Sequence, residues 1–303
     1  MNKQQMATEL GLQQAAELNQ DALLNQAAVL EQALVAQDLR GMARARAALT
    51  PGYLQRAAAL LYQPGQHVLI CTGFPIKGTF ETDGPVGAVA IYRMLQAIGA
   101  IPVLVCDEPL YAVLAPHYRT ALLRLTAPDA AAASAQATQL LTQYQPAAIV
   151  CIERPGQAAD GRYYNMRHQD ISAWVADVDT LVRLATCPTV GIGDGGNEIG
   201  MGNIATVIST LNIRPAHTCC TELIVADVSN WAAYGLAYYW SCLSGQDLFG
   251  CCDPTASLAF FSAHGSVDGV TGHNTLTEDG LPTSVGVAIC HQFHQLYLQQ
   301  QIL

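Results

Sequence analysis

Between Gly193 and Asn203 the chain reads GDGGNEIGMGN, five glycines in eleven residues with Asp194 and Glu198 set among them. The overlapping GIGDGG (191–196) has the G-x-G-x-x-G spacing of dinucleotide sites. Two carboxylates would then lie beside the phosphate that such a turn cradles, so the charge argues against a nicotinamide cofactor. A tight glycine turn presenting acids suits a divalent cation such as Mg²⁺ or Mn²⁺, an ammonium group, or general-base work. Its plainer alternative is a turn with Asp194 as a cap.

Other stretches have the same character. In ETDGP (81–85), Pro85 suits the first position of the helix VGAVAIYRMLQAIG, with Thr82 or Asp83 near its cap. Capping accounts for one acid and leaves Glu81 to face a site, with Lys77 just upstream as a positive charge. ERPG (153–156) and DGRYYNMRHQD (160–170) place Arg154, Arg162 and Arg167 within fourteen residues, around Asn165. The guanidinium fork holds a planar carboxylate at two points, so these arginines suit an acidic substrate. Alternatively they only pair Glu153, Asp160 and Asp170. HGSVDGVTGH (264–273) adds Asp268 between two histidines, while His291 and His294 read as a solvated helix face. Asn230, in SNW, suits a cap for the helix WAAYGLAYYW. There is no GxSxG, HExxH or Walker A loop.

These stretches need elements to hold them. Apolar runs recur at HVLICTG (67–73), IPVLVCD (101–107), AAIVCIE (147–153), TVGIG (189–193) and ELIVADV (222–228), separated by helical stretches. Runs of this kind, buried on both faces, predict an α/β fold with a mostly parallel sheet and crossover helices. Each run ends in polar or glycine-rich sequence, and ligands of such sheets bind beyond the carboxyl ends of the strands. The loops should therefore converge. Residues 1–64, rich in Ala, Leu and Gln at helical spacing, predict a helical segment packed on a catalytic unit spanning 65–303. The Ala-rich stretch 127–139 reads as a loop entering a helix.

The 303 residues are 51% hydrophobic and 13% charged, with a net charge of −10. That balance excludes an ordinary nucleic-acid binder. The ten cysteines lack CxxC spacing and read mainly as buried, reduced thiols. MNKQQMATEL has no apolar core after its lysine, and no apolar run reaches the ~18 residues of a membrane span. A cytoplasmic protein without a membrane partner is expected, and a homo-oligomer is compatible with the sequence.

ETDGP, ERPG, the DGRYYNMR segment, GDGGNEIGMGN, SNW and DGVTG, in this order, resemble the C-terminal domain of the D-glutamate cyclase family over about residues 67–290. Animal proteins of that kind carry a hydro-lyase-like domain ahead of this one, and residues 1–64 show no motif of it. The resemblance implies a lyase that converts D-glutamate to 5-oxo-D-proline and water. The α-amine must lose a proton and attack the γ-carboxyl, and an oxygen must leave as water. Chemistry then assigns Asp194, Glu198, Glu81 and Asp83 as catalytic candidates, and Asp194, Glu198 and Asp268 as candidates for a divalent cation. Arg154, Arg162, Arg167 and Lys77 would hold substrate carboxylates, with Asn165, Asn197 and Asn230 as polar contacts. Two other readings fit the residues: a metal-assisted lyase or hydrolase acting on another small carboxylic acid or a lactam, and a non-catalytic small-molecule-binding domain.

Overall fold

A computed structural model describes residues 26–118, 122–125 and 129–301. Six parallel strands form its centre: β1 (His67–Thr72), β2 (Ile101–Cys106), β3 (Leu122–Arg124), β4 (Ala148–Ile152), β5 (Thr189–Gly193) and β6 (Glu222–Val225). Their spatial order is β3-β2-β1-β4-β5-β6. All five expected runs are strands, and the short edge strand β3 is a sixth. The chain winds outward from β1 to β3, then returns to the other side of β1. β1 and β4 thus pair directly, with Leu69 opposite Ile149 and Cys71 opposite Cys151. Strand order reverses between them, the place where open α/β sheets bind ligands.

Both faces of the sheet are covered, which explains why the strands read as unbroken apolar runs. Val68 and Ile70 of β1 point into the larger core, and Leu69 and Cys71 into the smaller one. On the larger side lie the N-terminal helices α1 (26–34), α2 (Met42–Ala48) and α3 (Tyr53–Leu61), together with α4 (Pro85–Ala97). α3 packs over β4–β6 and α4 over β1 and β2. Between β2 and β3 runs the short α5 (Leu110–Leu114), which also feeds the larger core. On the smaller side lie α6 (Ala130–Tyr144) and α7 (Asp179–Leu184). The Ala-rich stretch is thus mostly helix, capped by the Asp129 carboxylate on the Ala132 amide. A four-residue turn, α8 (Ala205–Ile208), precedes β6. Beyond β6, α9 (Ala232–Ser244) lies across α3 and α4, and α10 (Pro254–Ala263) and α11 (Thr283–Gln300) complete that layer.

Two small hairpins project at the carboxyl edge. One pairs Pro75–Ile76 with Thr79–Phe80 and carries Lys77 at its tip. The other pairs Thr277–Glu278 with Leu281–Pro282 and carries Asp279. Asp279 and Gly280 have φ of 51° and 80°, the left-handed pair that a two-residue hairpin turn needs.

Candidate active site

Each strand end delivers a side chain to the same place. Glu81 and Asp83 follow β1 and its hairpin, Glu153 follows β4, and Asp194 and Glu198 follow β5. Ser229 follows β6, and Asp279 arrives on the second hairpin. Carboxylate oxygens of Asp83, Asp194 and Asp279 lie within 4.8 Å of one another, as do those of Glu153, Asp194 and Glu198. Asp194 belongs to both sets and is the centre of the cluster. A cavity of about 20 Å³ opens among Glu81, Glu153, Asp194, Glu198, Asp279 and Arg40, room for one small ion or ammonium-sized group.

The acids are held by donors from several elements. Asp83 accepts from the amides of Ser229, Asn230 and Gly84, at 2.8 Å each. Glu153 accepts from the Ser229 hydroxyl at 2.6 Å. Glu198 folds back to accept from the Gly195 and Gly196 amides at 3.1 and 2.8 Å. The glycine turn therefore does bind an anion, its own carboxylate, and the amides a phosphate would use are occupied. Backbone must come close for this: a Cβ on Gly193 would lie 2.7 Å from Glu198 Oε2.

Arg40 is the one cation in this cavity lining, and it comes from the helical N-terminal segment. Its guanidinium meets Asp194 and Asp279 at 2.7 Å each, and donates to the Asp227 carbonyl at 2.9 Å and the Asp194 carbonyl at 3.0 Å. Asp227 in turn accepts from the Gln37 and Leu39 amides, tying the segment to the end of β6. One guanidinium cannot balance so many acids. Burial pushes the carboxyls of Glu81, Asp83, Glu153, Asp194 and Asp279 well above the ordinary range; acidic neighbours push the same way, and Arg40 opposes the rise at Asp194 and Asp279. Glu198 is raised too, less so because the glycine amides favour its ionised form. Beneath them Glu278 is pushed up to about 7 by burial, against hydrogen bonds from Asn230 and Trp231. At neutral pH the cluster must hold protons or a cation.

Glu81, Phe74 and Met166 also line a second, outer pocket of about 430 Å³. Lys77, Asn165, Arg167 and Trp174 stand around it. The two spaces differ in charge: acids inside, cations at the mouth.

Not every anticipated residue lies there. Arg154, expected on a substrate carboxylate, is fully buried and bound at two points to Asp107, at 2.7 and 2.6 Å, with further bonds to the Gly73 and Ala176 carbonyls. It ties the ends of β1, β2 and β4 together and has no face toward the cavity lining. Arg162 is exposed and pairs with Asp170 at 3.3 Å. Asn230 caps α4 instead of α9: its Oδ1 accepts from the Gly84 and Gly87 amides, and its Nδ2 donates to Glu278 at 2.8 Å. Gly87 permits this, since a Cβ there would lie 2.9 Å from the Asn230 Cα. Asp268 is outside both close sets. Its carboxylate accepts from the Val270, Thr271 and Gly280 amides, which orders the loop leading to Asp279. Asn197 lines the cavity while donating to the Tyr164 carbonyl at 2.8 Å. Asn165 stabilises its own turn by accepting from the Arg167 and Gln169 amides. Arg167 donates to the Gly269 and Val270 carbonyls at 3.4 and 2.7 Å.

Sequence reading passed over Arg40, Glu278 and Asp279, and treated Glu153 only as an ion-pair partner. Asp279-Gly280 between short extended residues is a hairpin signal and could have been found. Nothing local marks Arg40, which becomes a site residue only because helices α1–α3 dock beside β6.

A doubly wound α/β domain with an acidic pocket at its strand-order reversal is the class these features define. Residues 30–293 match the family described as D-glutamate cyclase-like, C-terminal, and the chain belongs to that family. The human mitochondrial D-glutamate cyclase is 33% identical over 207 residues, covering 59% of this chain and 33% of that protein. The chain thus spans about a third of the length of this relative. An exopolyphosphatase-related protein from Bacteroides fragilis overlaps 80% of this chain and 56% of its own at a TM-score of 0.42 and 10% identity, too distant to inform the site. Among the described residues no helix is long and apolar enough to cross a membrane.

Proposed function

We propose that this chain cyclises D-glutamate to 5-oxo-D-proline, releasing water. Family membership sets the class of reaction. The observation that carries the reading is the polarity of the paired pockets, an inner cavity of carboxylates opening past Glu81 and Met166 to a mouth bearing Lys77 and Arg167. An amino acid with two carboxylates is matched by that gradient. Its ammonium enters the acidic cavity, and a carboxylate is held at the mouth by Lys77 and Arg167.

Ring closure needs the ammonium to lose a proton, and an ionised carboxylate of the cluster takes it, Asp194 being the central candidate. The amine nitrogen then attacks the γ-carbon. The departing oxygen needs a proton, and a carboxyl kept neutral by burial beside ionised neighbours supplies it, with Glu81 at the junction of the two pockets as its candidate. Acid and base roles thus fall to groups of one kind whose environments differ.

The donor set also fits a divalent cation: it is all carboxylate oxygen, suited to Mg²⁺ or Mn²⁺ and poor for a thiophilic metal. Asp83, Asp194 and Asp279, or Glu153, Asp194 and Glu198, would hold it. Bound there, the cation would offset the surplus charge and polarise a carboxyl oxygen. A cytoplasmic enzyme with a small-molecule substrate, free of nicotinamide, remains part of the proposal.

The test is incubation of the purified chain with D-glutamate or L-glutamate, with and without Mg²⁺ or Mn²⁺, followed by chiral chromatography of 5-oxoproline. Product from D-glutamate in preference to L-glutamate supports the assignment. No product under any condition rejects it for this chain.

A further inference from the structure

We infer that Cys252 and Cys290 are a reversible thiol–disulfide pair, a modification site on the side of the molecule away from the acidic cluster. It does not rest on the catalytic reading. Two thiol pairs face each other in the structure. Cys71 and Cys151 sit opposite one another on β1 and β4, inside the smaller core, with no route to solvent. Cys252 and Cys290 differ in access. Each is about a tenth exposed or less (8% and 9%), and both line an open pocket of about 450 Å³ with Phe249, Asp253, His291 and His294. Reagents of low molecular weight can reach them.

Their placement brings them together by tertiary packing. Cys252 is the residue before Asp253, the cap of α10, and Cys290 lies midway along α11. The two thiols are hydrogen-bonded to each other, and the Met94 sulfur lies 3.9 Å from Cys252. That contact lowers the Cys290 thiol below its ordinary pKa, burial opposing, whereas Cys252 is raised. Cys290 is therefore the attacking thiol and Cys252 the resolving one.

The oxidant required is a small-molecule disulfide. The Cys290 thiolate attacks one sulfur of the reagent, forming a mixed disulfide and expelling one thiolate. The Cys252 sulfur, on losing its proton, attacks the Cys290 sulfur and expels the second. Two protein thiols and one reagent disulfide become one protein disulfide and two reagent thiols, so two electrons and two protons balance. The bond would close a loop over residues 253–289, the stretch that carries Asp268, Glu278 and Asp279. Cross-linking thus constrains the segment that delivers the hairpin acid to the cavity.

The experiment treats the full chain with oxidised glutathione, alkylates the remaining thiols, and maps peptides without reduction. The expected result is a Cys252–Cys290 linked peptide pair, two fewer alkylatable thiols, and recovery of both with dithiothreitol. Restricting so long a loop should raise Tm by roughly 5 °C, reversibly. The Cys252→Ser variant should instead accumulate glutathione on Cys290, which a merely packed thiol would not do. Unchanged alkylation of both thiols after oxidation, or a predominant linkage to any other cysteine, would overturn the inference. The wild-type map decides the matter even where a variant folds poorly.

Discussion

Asp194 shows how much one position can be asked to do. It shares both close carboxylate sets, faces Arg40 at 2.7 Å and lies 3.3 Å from the Ser229 amide. Replacing it with Asn keeps shape and removes charge. Asp194→Asn is expected to lower kcat/KM for 5-oxoproline formation by at least ~100-fold, the scale of a lost general base, while the circular-dichroism melt stays cooperative. An active variant would move the role to a neighbour. Two arginines make the opposite kind of contrast. Arg154→Gln leaves Asp107 buried without its partner and should cost about 3–5 kcal/mol in urea unfolding. Arg167→Gln, at the mouth, should raise KM several-fold with little change in the melt. Equal KM effects from both substitutions would contradict the division into a tie and a substrate contact.

At the scale of elements, the site is held by contacts between segments far apart in the chain. Asn230 is the clearest case. Its side chain bridges the first turn of α4, the Thr82 carbonyl and Glu278. Asn230→Ala strands those groups in a buried place, so a loss of about 2–3 kcal/mol is expected in chemical denaturation, with weaker activity in the folded fraction. Arg40 ties the N-terminal helices to the hairpin acid. Removing its charge lets the Asp194 and Asp279 carboxyls rise further. The acidic limb of the kcat/KM–pH profile of Arg40→Met should therefore move to higher pH than in wild type. A profile that merely scales down without moving would assign Arg40 a packing role alone.

Across the whole molecule the surplus of buried acid couples stability to pH. These carboxyls have folded-state pKa values above their unfolded ones, so the native state binds more protons. Their contribution to stability is full below the unfolded values near 4 and is lost as pH rises through the folded values. For Glu278 that window runs from 4.5 to about 7. In EDTA, Tm should consequently be higher at pH 6 than at pH 8, and Mg²⁺ or Mn²⁺ should recover much of the difference at pH 8 by binding only the folded cluster. A Tm that climbs from pH 6 to pH 8 in EDTA, or that ignores both cations, would show that the acids are neutralised in another way.

The alternation of apolar runs and helical stretches by itself determined the parallel sheet, because strands buried on both faces need continuous apolar side chains. GDGGNEIGMGN and ETDGP were likewise legible as acid-bearing turns, since glycine and proline restrict the backbone locally whatever surrounds them. The short strand β3 escaped, being three residues at an edge. Tertiary structure alone decided which charges meet. Arg154 and Arg167 stand thirteen positions apart with the same side chain, yet one is sealed against Asp107 and the other lines a pocket mouth. Arg40, Glu153, Asp194 and Asp279 become neighbours only after four separate segments dock. Charge pairing acts over a few ångströms of space, and a linear pattern carries no record of that distance.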